Sequence, residues 1–235
     1  LFSAHCPLTY AFCHLEIIML YVVSTPIGNL GDITYRAVEV LKSVDLIACE
    51  DTRHTNILCQ HYGIKVPLSS YYEYNKVVKG EHLLKLLKDG RQVALVSDAG
   101  TPGISDPGFS LIRAVLDAGI KVASIPGPTA LIAALSISGL PTHNFFFKGF
   151  LPIKQVSRKK RLEWLKGLGT TIVVYESPHR LLKTLRDMKE VLGDKKIAIV
   201  REVTKKFEEV IRATPEELIK AFEARKPRGE FVLIF

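Results

Sequence analysis

Carboxylates, imidazoles and guanidinium groups crowd the ends of three apolar runs in this chain. Glu50, Asp51, Arg53 and His54 lie in the segment that follows Leu46-Ile-Ala-Cys49. Asp98 stands just beyond Val93-Ala-Leu-Val96. Glu176, His179 and Arg180 follow Thr171-Ile-Val-Val-Tyr175. A carboxylate or imidazole can take the proton of a weakly acidic hydroxyl, and a neighbouring cation can polarise that hydroxyl. Glu50, Asp51, His54, Asp98 and His179 are therefore the candidates for proton transfer. Glu50 and Asp98, directly at strand ends, are the better placed to face a substrate. Plainer roles compete: Asp51 and Arg53 can form an ion pair that only steadies their loop, and His179 can simply start a helix after Pro178. No His pair or carboxylate cluster has the spacing of a metal site, and none is expected. There is no G-x-G-x-x-G fingerprint, no Walker A loop and no G-x-S-x-G elbow.

Strands and helices alternate around these groups. Strand-like runs at Leu20–Ser24, Asp45–Cys49, Gln92–Ser97 and Lys121–Ile125 are separated by helical patterns. The helices fall at Thr34–Ser43, Thr52–Tyr62, Lys76–Lys88 and Phe109–Ala118. That alternation predicts a mostly parallel sheet covered on both faces. A short Ala- and Leu-rich helix then follows Pro126-Gly-Pro-Thr129. After Gly139-Leu-Pro-Thr-His-Asn144, a turn-like segment, a second α/β unit begins, with strands at Asn144–Phe147, Thr171–Tyr175, Lys196–Arg201, Glu208–Arg212 and Glu230–Phe235. Its helices are expected near Val156–Leu168, His179–Leu192 and Pro215–Arg225. The expected organisation is an α/β domain over 19–140 and a second over 144–235. Five small-residue loops stand at strand ends. The longest, Ser97 to Pro107, is richer in Gly and Pro than a simple turn needs and reads as a binding loop.

Charge divides at the same place. Residues 1–144 hold 11 Lys and Arg against 12 Asp and Glu, whereas residues 145–235 hold 21 against 12. A basic half of net +9 suits a polyanion better than a small acidic ligand. The four cysteines have neither zinc nor redox spacing, which points to a reduced, cytoplasmic protein. No run reaches membrane-spanning length, and no positively charged signal region opens the chain. Met19 stands directly before the first strand, so residues 1–18 are expected to be a leader upstream of the natural start.

Taken together, the loops carry a resemblance. TPIGNLGDIT, ACEDTRHT, ALVSDAGTPGISDPG, PGPTALIAAL, GFLP, VYESPHR and RGEFVLI occur in the order found in the tetrapyrrole methylase superfamily. The match runs from Leu20 to Phe235 and is most similar to the branch that 2′-O-methylates a cytidine of 16S rRNA. The resemblance implies two α/β domains, the first sheet mostly parallel and the second mixed. It also implies S-adenosylmethionine in the cleft between them, and a homodimer. Residue by residue, it places Ala99, Gly100 and Thr101 in the cofactor loop, where Thr101 replaces the superfamily's Asp. Thr129 and Ala130 match a second cofactor pair, Tyr175 and Glu176 contribute from the second domain, and Pro26 and Gly28 form the floor.

The expected partner is 16S rRNA or the small ribosomal subunit, not DNA and not a membrane. Lys154, Arg158, Lys159, Lys160 and Arg161, with Lys166 beyond, cluster on and before one helix and are the candidate RNA contacts, joined by Arg53 and Arg180. Trp164, Tyr175 and the Tyr71-Tyr-Glu-Tyr74 run offer aromatic surface for an unstacked base, although Trp164 equally suits a core. Two other readings stay open: methylation of a corrin or porphyrin, and an RNA-binding module without catalysis. The basic second half and the EDTRHT and ESPHR loops favour the rRNA branch over the first. The full set of cofactor loops argues against the second.

Overall fold

The structure is a computed structural model and describes residues 18–72 and 76–235. The expectation that residues 1–18 form a leader lies outside it, apart from Ile18. So does Tyr74.

The first half builds a five-stranded sheet from β1 (Met19–Val23), β2 (Leu46–Cys49), β3 (Leu68–Ser70), β4 (Val93–Leu95) and β5 (Lys121–Ile125). Their order is β3-β2-β4-β1-β5, and all pairs are parallel. The β3 strand was not anticipated. It has three residues, none of them fully buried, so it leaves almost no hydrophobic pattern. One face of the sheet is covered by α1 (Tyr35–Ser43) and α2 (Thr52–Tyr62), which bury Ala37, Leu41, Leu58 and Cys59 against Val23, Ile47 and Cys49. The other face is covered by α3 (Lys76–Lys88) and α4 (Phe109–Asp117), which bury Leu83, Leu87, Leu111 and Val115 against Leu20, Ala48 and Leu95. The helix starts are chemical: Thr34 accepts from Ala37 N–H at 3.1 Å, and Asp51 accepts from Arg53 N–H at 2.8 Å.

Adjacent strands β1 and β4 thus send the chain to helices on opposite faces. Their carboxyl-end loops part there, which is where ligands bind in open α/β sheets. The two loops are pinned to each other: Thr25 and Gly100 exchange both backbone hydrogen bonds at 2.9 Å, and the Ser24 and Thr101 hydroxyls meet at 2.8 Å.

The second half forms a mixed sheet of β6 (Phe145–Phe150), β7 (Thr171–Glu176), β8 (Ile197–Arg201), β9 (Glu209–Ala213) and β10 (Phe231–Ile234). The order is β6-β7-β10-β8-β9, with β6 and β7 parallel and the other pairs antiparallel. Helices α6 (Gln155–Lys166), α7 (Leu181–Leu192) and α8 (Pro215–Ala224) pack on one face around Leu162, Leu185, Met188, Leu218 and Phe222. The start of α8 carries the full capping box at Thr214 and Glu217, with Pro215 at its first position.

The other face of this sheet meets the first half. Helix α5 (Ala130–Ile137) buries Ala134 and Leu135 against Val173, Ala198, Val232 and Ile234, and Ile27 of the first loop joins them. The fold is α/β as expected, and α5, which precedes the turn at residues 139–144, serves both sheets.

Candidate functional site

A cavity of about 400 Å³ opens between the two halves. From the first half it is lined by Ile27, Ala99, Gly100, Thr101, Ile104, Ser105, Asp106, Thr129 and Ala130. From the second come Phe150, Tyr175, Glu176, Ser177, Val200, Lys205, Glu230 and Val232. Small residues keep the first wall close to the backbone, and Phe150 and Tyr175 supply aromatic surface on the second. The Tyr175 hydroxyl accepts from Leu131 N–H at 3.1 Å. It therefore caps α5 from the other half of the molecule, where Thr129, the residue at the cap position, makes no capping bond of its own.

Seven of the nine expected cofactor residues line this cavity: Ala99, Gly100, Thr101, Thr129, Ala130, Tyr175 and Glu176. Their groups are not all free. Gly100 N–H is committed to Thr25, and the Thr101 hydroxyl to Ser24. Glu176 is buried and turned inward, accepting from Ser177 N–H at 2.9 Å and from the Thr184 hydroxyl at 2.6 Å. Pro26 and Gly28 line a separate, smaller pocket beside the cavity, while Ile27 between them faces the cavity. Gly28 has φ +147°, and a Cβ there would lie 2.3 Å from the Lys205 side chain, which crosses from the second half. Its glycine serves that crossing.

The carboxylates at the ends of β2 and β4 are cross-linked through backbone. Asp98 accepts from Asp51 N–H at 2.9 Å, and Glu50 lies beside Asp98. Burial, with Asp98 and Asp51 close by, pushes the Glu50 carboxyl up. Glu50 is not among the residues that line either cavity. Asp51 has two partners of its own. It caps α2 and holds Arg53 at 2.6 Å, and this pairing keeps its carboxyl well below the usual carboxylate range. Asp98 and His54 line the smaller pocket. His179 is exposed in the turn before α7.

One carboxylate lining the large cavity that the motifs did not single out is Asp106. Burial, with the charges of Glu50 and Asp98 nearby, pushes its carboxyl up to about 6. Its position in the same Gly- and Pro-rich loop as Asp98 was the available signal.

Among the expected RNA contacts, Arg158 is overturned. It is buried, donating to Asp187 at 2.6 Å and to the Ile153 carbonyl at 2.8 Å. Arg180 is mostly committed as well. It donates to the Leu151 carbonyl at 2.6 Å and stands 3.3 Å from Glu176. Lys159 pairs with Glu190, Arg161 lies over the Trp164 ring at 5.0 Å, and Lys166 reaches the Val191 carbonyl. Lys154, Lys160 and Arg53 remain exposed, and Trp164 is half-exposed. Tyr71 is buried beside Leu83 and Leu87, so it offers no stacking edge.

Comparison with known proteins adds three findings. The family described as Tetrapyrrole (Corrin/Porphyrin) Methylases matches residues 19–219. Ribosomal RNA small subunit methyltransferase I of Bacillus subtilis is 50% identical over 92% of this chain and 74% of its own length, and that of Thermotoga maritima is 48% identical over 92% and 96%. The X-ray structure of a cobalamin biosynthetic enzyme, cobalt precorrin-4 methyltransferase, superposes with a TM-score of 0.70 over 93% of this chain and 95% of that one, at 17% identity.

Proposed function

Since the chain belongs to the tetrapyrrole methylase family and is about half identical to small-subunit rRNA methyltransferases, we propose that it transfers a methyl group from S-adenosylmethionine to a ribose 2′-oxygen of 16S rRNA. The observation that carries the reading is the cavity between the sheets, with small-residue loops on one wall and carboxylates on its rim. The group fits its chemistry. Ala99, Ala130, Val200 and Val232 offer an apolar slot for adenine, while Asp106 suits a ligand of net positive charge, Glu230 being paired with Lys205 at 2.8 Å. Bound there, S-adenosylmethionine supplies an electrophilic methyl group on a sulfonium.

The protein's own task is alignment and proton removal. Holding acceptor and donor in line contributes on the order of 7–11 kcal/mol to such a step. Asp106 faces the cavity and takes the proton of the 2′-hydroxyl. A carboxylate of raised basicity does this better near neutral pH. Glu50 and Asp98 sustain that basicity through their charge.

Lys154, Lys160 and Arg53 are the exposed cations proposed to meet the phosphate backbone, and a homodimer would double the basic surface. No described helix is long and apolar enough to cross a membrane, and the reading places the protein in the cytoplasm, where its substrate is assembled. A corrin or porphyrin substrate gains no support from the +9 second half.

The test is incubation with labelled S-adenosylmethionine and small ribosomal subunits lacking the modification, followed by nuclease mapping. Label on one ribose of 16S rRNA is expected. Cofactor binding without any label would refute the substrate.

A further inference from the structure

The smaller pocket beside the cofactor cavity has no role in the mechanism above. It measures about 190 Å³, below the roughly 300–1,000 Å³ of sites for drug-sized ligands, and is far too small for a macrocycle. Pro26, Leu30, Ile57 and Leu58 give it apolar walls. One loop forms its partition from the cofactor cavity: Ser97 and Asp98 line the small pocket, and Ala99, Gly100 and Thr101 line the large one. That partition is fixed, because Thr25 is bonded to Gly100 in both directions and its hydroxyl donates to the Ser97 carbonyl.

Two polar groups of this pocket have half of their capacity already assigned. Asn29 uses its Oδ1 to accept from Gly31 N–H at 3.1 Å, which orients its amide and leaves the NH2 to donate. Asp98 uses Oδ1 to accept from Asp51 N–H, and among the described residues Oδ2 has no hydrogen-bond partner. With His54 and Thr55 also on its wall, the pocket offers the Asn29 amide as an oriented donor and the Asp98 carboxylate as a charged acceptor between apolar side chains. A flat heterocycle with an exocyclic amine next to a ring nitrogen or carbonyl acceptor is the complement. Cytosine presents that edge in one ring and adenine in two, whereas uracil puts a carbonyl where the amine would be; the small volume favours the single ring.

We infer that this pocket holds the unstacked base of the acceptor nucleotide, a cytosine, with Asp98 accepting from its amino group and Asn29 donating to its acceptor edge, so that its ribose lies across the loop partition at the cofactor cavity. The inference rests on the rRNA reading and deepens it. Unstacked bases in single-stranded segments are the usual target of sequence-specific RNA recognition. Asp98 is then a specificity-determining residue, and Asp106, on the other side of the partition, is the catalytic one.

The test uses the full chain and small subunits lacking the modification, reconstituted with cytidine or with uridine at the nucleotide mapped for the unaltered protein. Ile57→Trp fills the pocket from a half-exposed position. It should bind S-adenosylmethionine as the unaltered protein does and lose about tenfold or more in kcat/KM for the cytidine substrate. Asp98→Asn replaces an acceptor by a group that can also donate. It should shift the uridine-to-cytidine ratio of kcat/KM upward by about tenfold. A purely structural or proton-transfer role for Asp98 would lower both substrates equally, and that result overturns the inference, as does undiminished transfer by Ile57→Trp. If Ile57→Trp loses cofactor binding, the Asp98→Asn ratio decides alone. Absence of transfer by the unaltered protein would instead refute the rRNA reading and the inference with it.

Discussion

Three carboxylates near the end of β4 share one neighbourhood and have three fates. Glu50 lies beside Asp98, Asp98 binds the backbone of Asp51, and Asp106 faces the cavity between the sheets with its carboxyl pushed up to about 6 by burial and by the other two. The proposed proton transfer needs Asp106 ionised, so kcat/KM should rise with pH through a midpoint near 6, and Asp106→Asn should abolish both the activity and that limb of the profile. The same shift has a consequence for stability. The folded state holds this proton more tightly than the unfolded chain, whose value is 3.8. The stabilisation is therefore fully present below about pH 4 and lost as pH rises through about 6. An amide has no such loss. Asp106→Asn should be the more stable protein at neutral pH, by about 1 kcal/mol after allowance for solvent screening, and should lose that advantage in acid. Urea titrations at both pH values measure it. The residue types at strand ends were legible in the sequence, but their division of labour was not. It depends on which backbone N–H each carboxylate meets across β2 and β4, a relation 47 residues apart in the chain for Asp51 and Asp98.

At the scale of the element, α6 shows what a basic helix conceals. Its cations suggest a solvated, RNA-facing surface, yet Arg158, Leu162 and Leu165 recur at helical spacing and all three are buried. That periodicity was present in the sequence and was outweighed by the count of charges. Arg158 and Gln155 both donate to Asp187 of α7, whose side chain is 0% exposed, so the pair joins two helices through the interior. Removing one partner leaves the other charge buried without compensation. Asp187→Ala should cost about 3–5 kcal/mol of stability, while replacing both Arg158 and Asp187 by apolar residues of similar volume should cost much less. Thermal unfolding of the single and double variants distinguishes the two. Most helix positions were legible because their caps are local: Thr34, Asp51 and Thr214 each bond within their own first turn. The start of α5 after Thr129 was legible too, although its capping oxygen, from Tyr175, lies 44 residues further on.

Across the whole molecule, the two sheets are joined by one passage of chain, and most of its residues from Gly139 to Asn144 are exposed. Far more than this passage holds them together. Arg212 donates to the Ser138 carbonyl at 2.7 Å and to that of Ile137, Lys205 crosses over Gly28, and α5 buries its apolar face against the second sheet. The alternation of strands and helices and the change of charge balance near residue 144 made the two-part organisation readable. The latches were not, because each joins residues distant in sequence. Peptide continuity at the turn is therefore dispensable for assembling the cleft. A chain cut once between Thr142 and His143 should elute as a single particle and still bind S-adenosylmethionine, and its two fragments, made apart and mixed, should complement one another. Arg212→Ala in the second fragment should weaken that complementation. In evolutionary terms, such a joint is a place where the protein tolerates interruption: inserted sequence, or a break between two genes, would leave the catalytic cleft to assemble from parts.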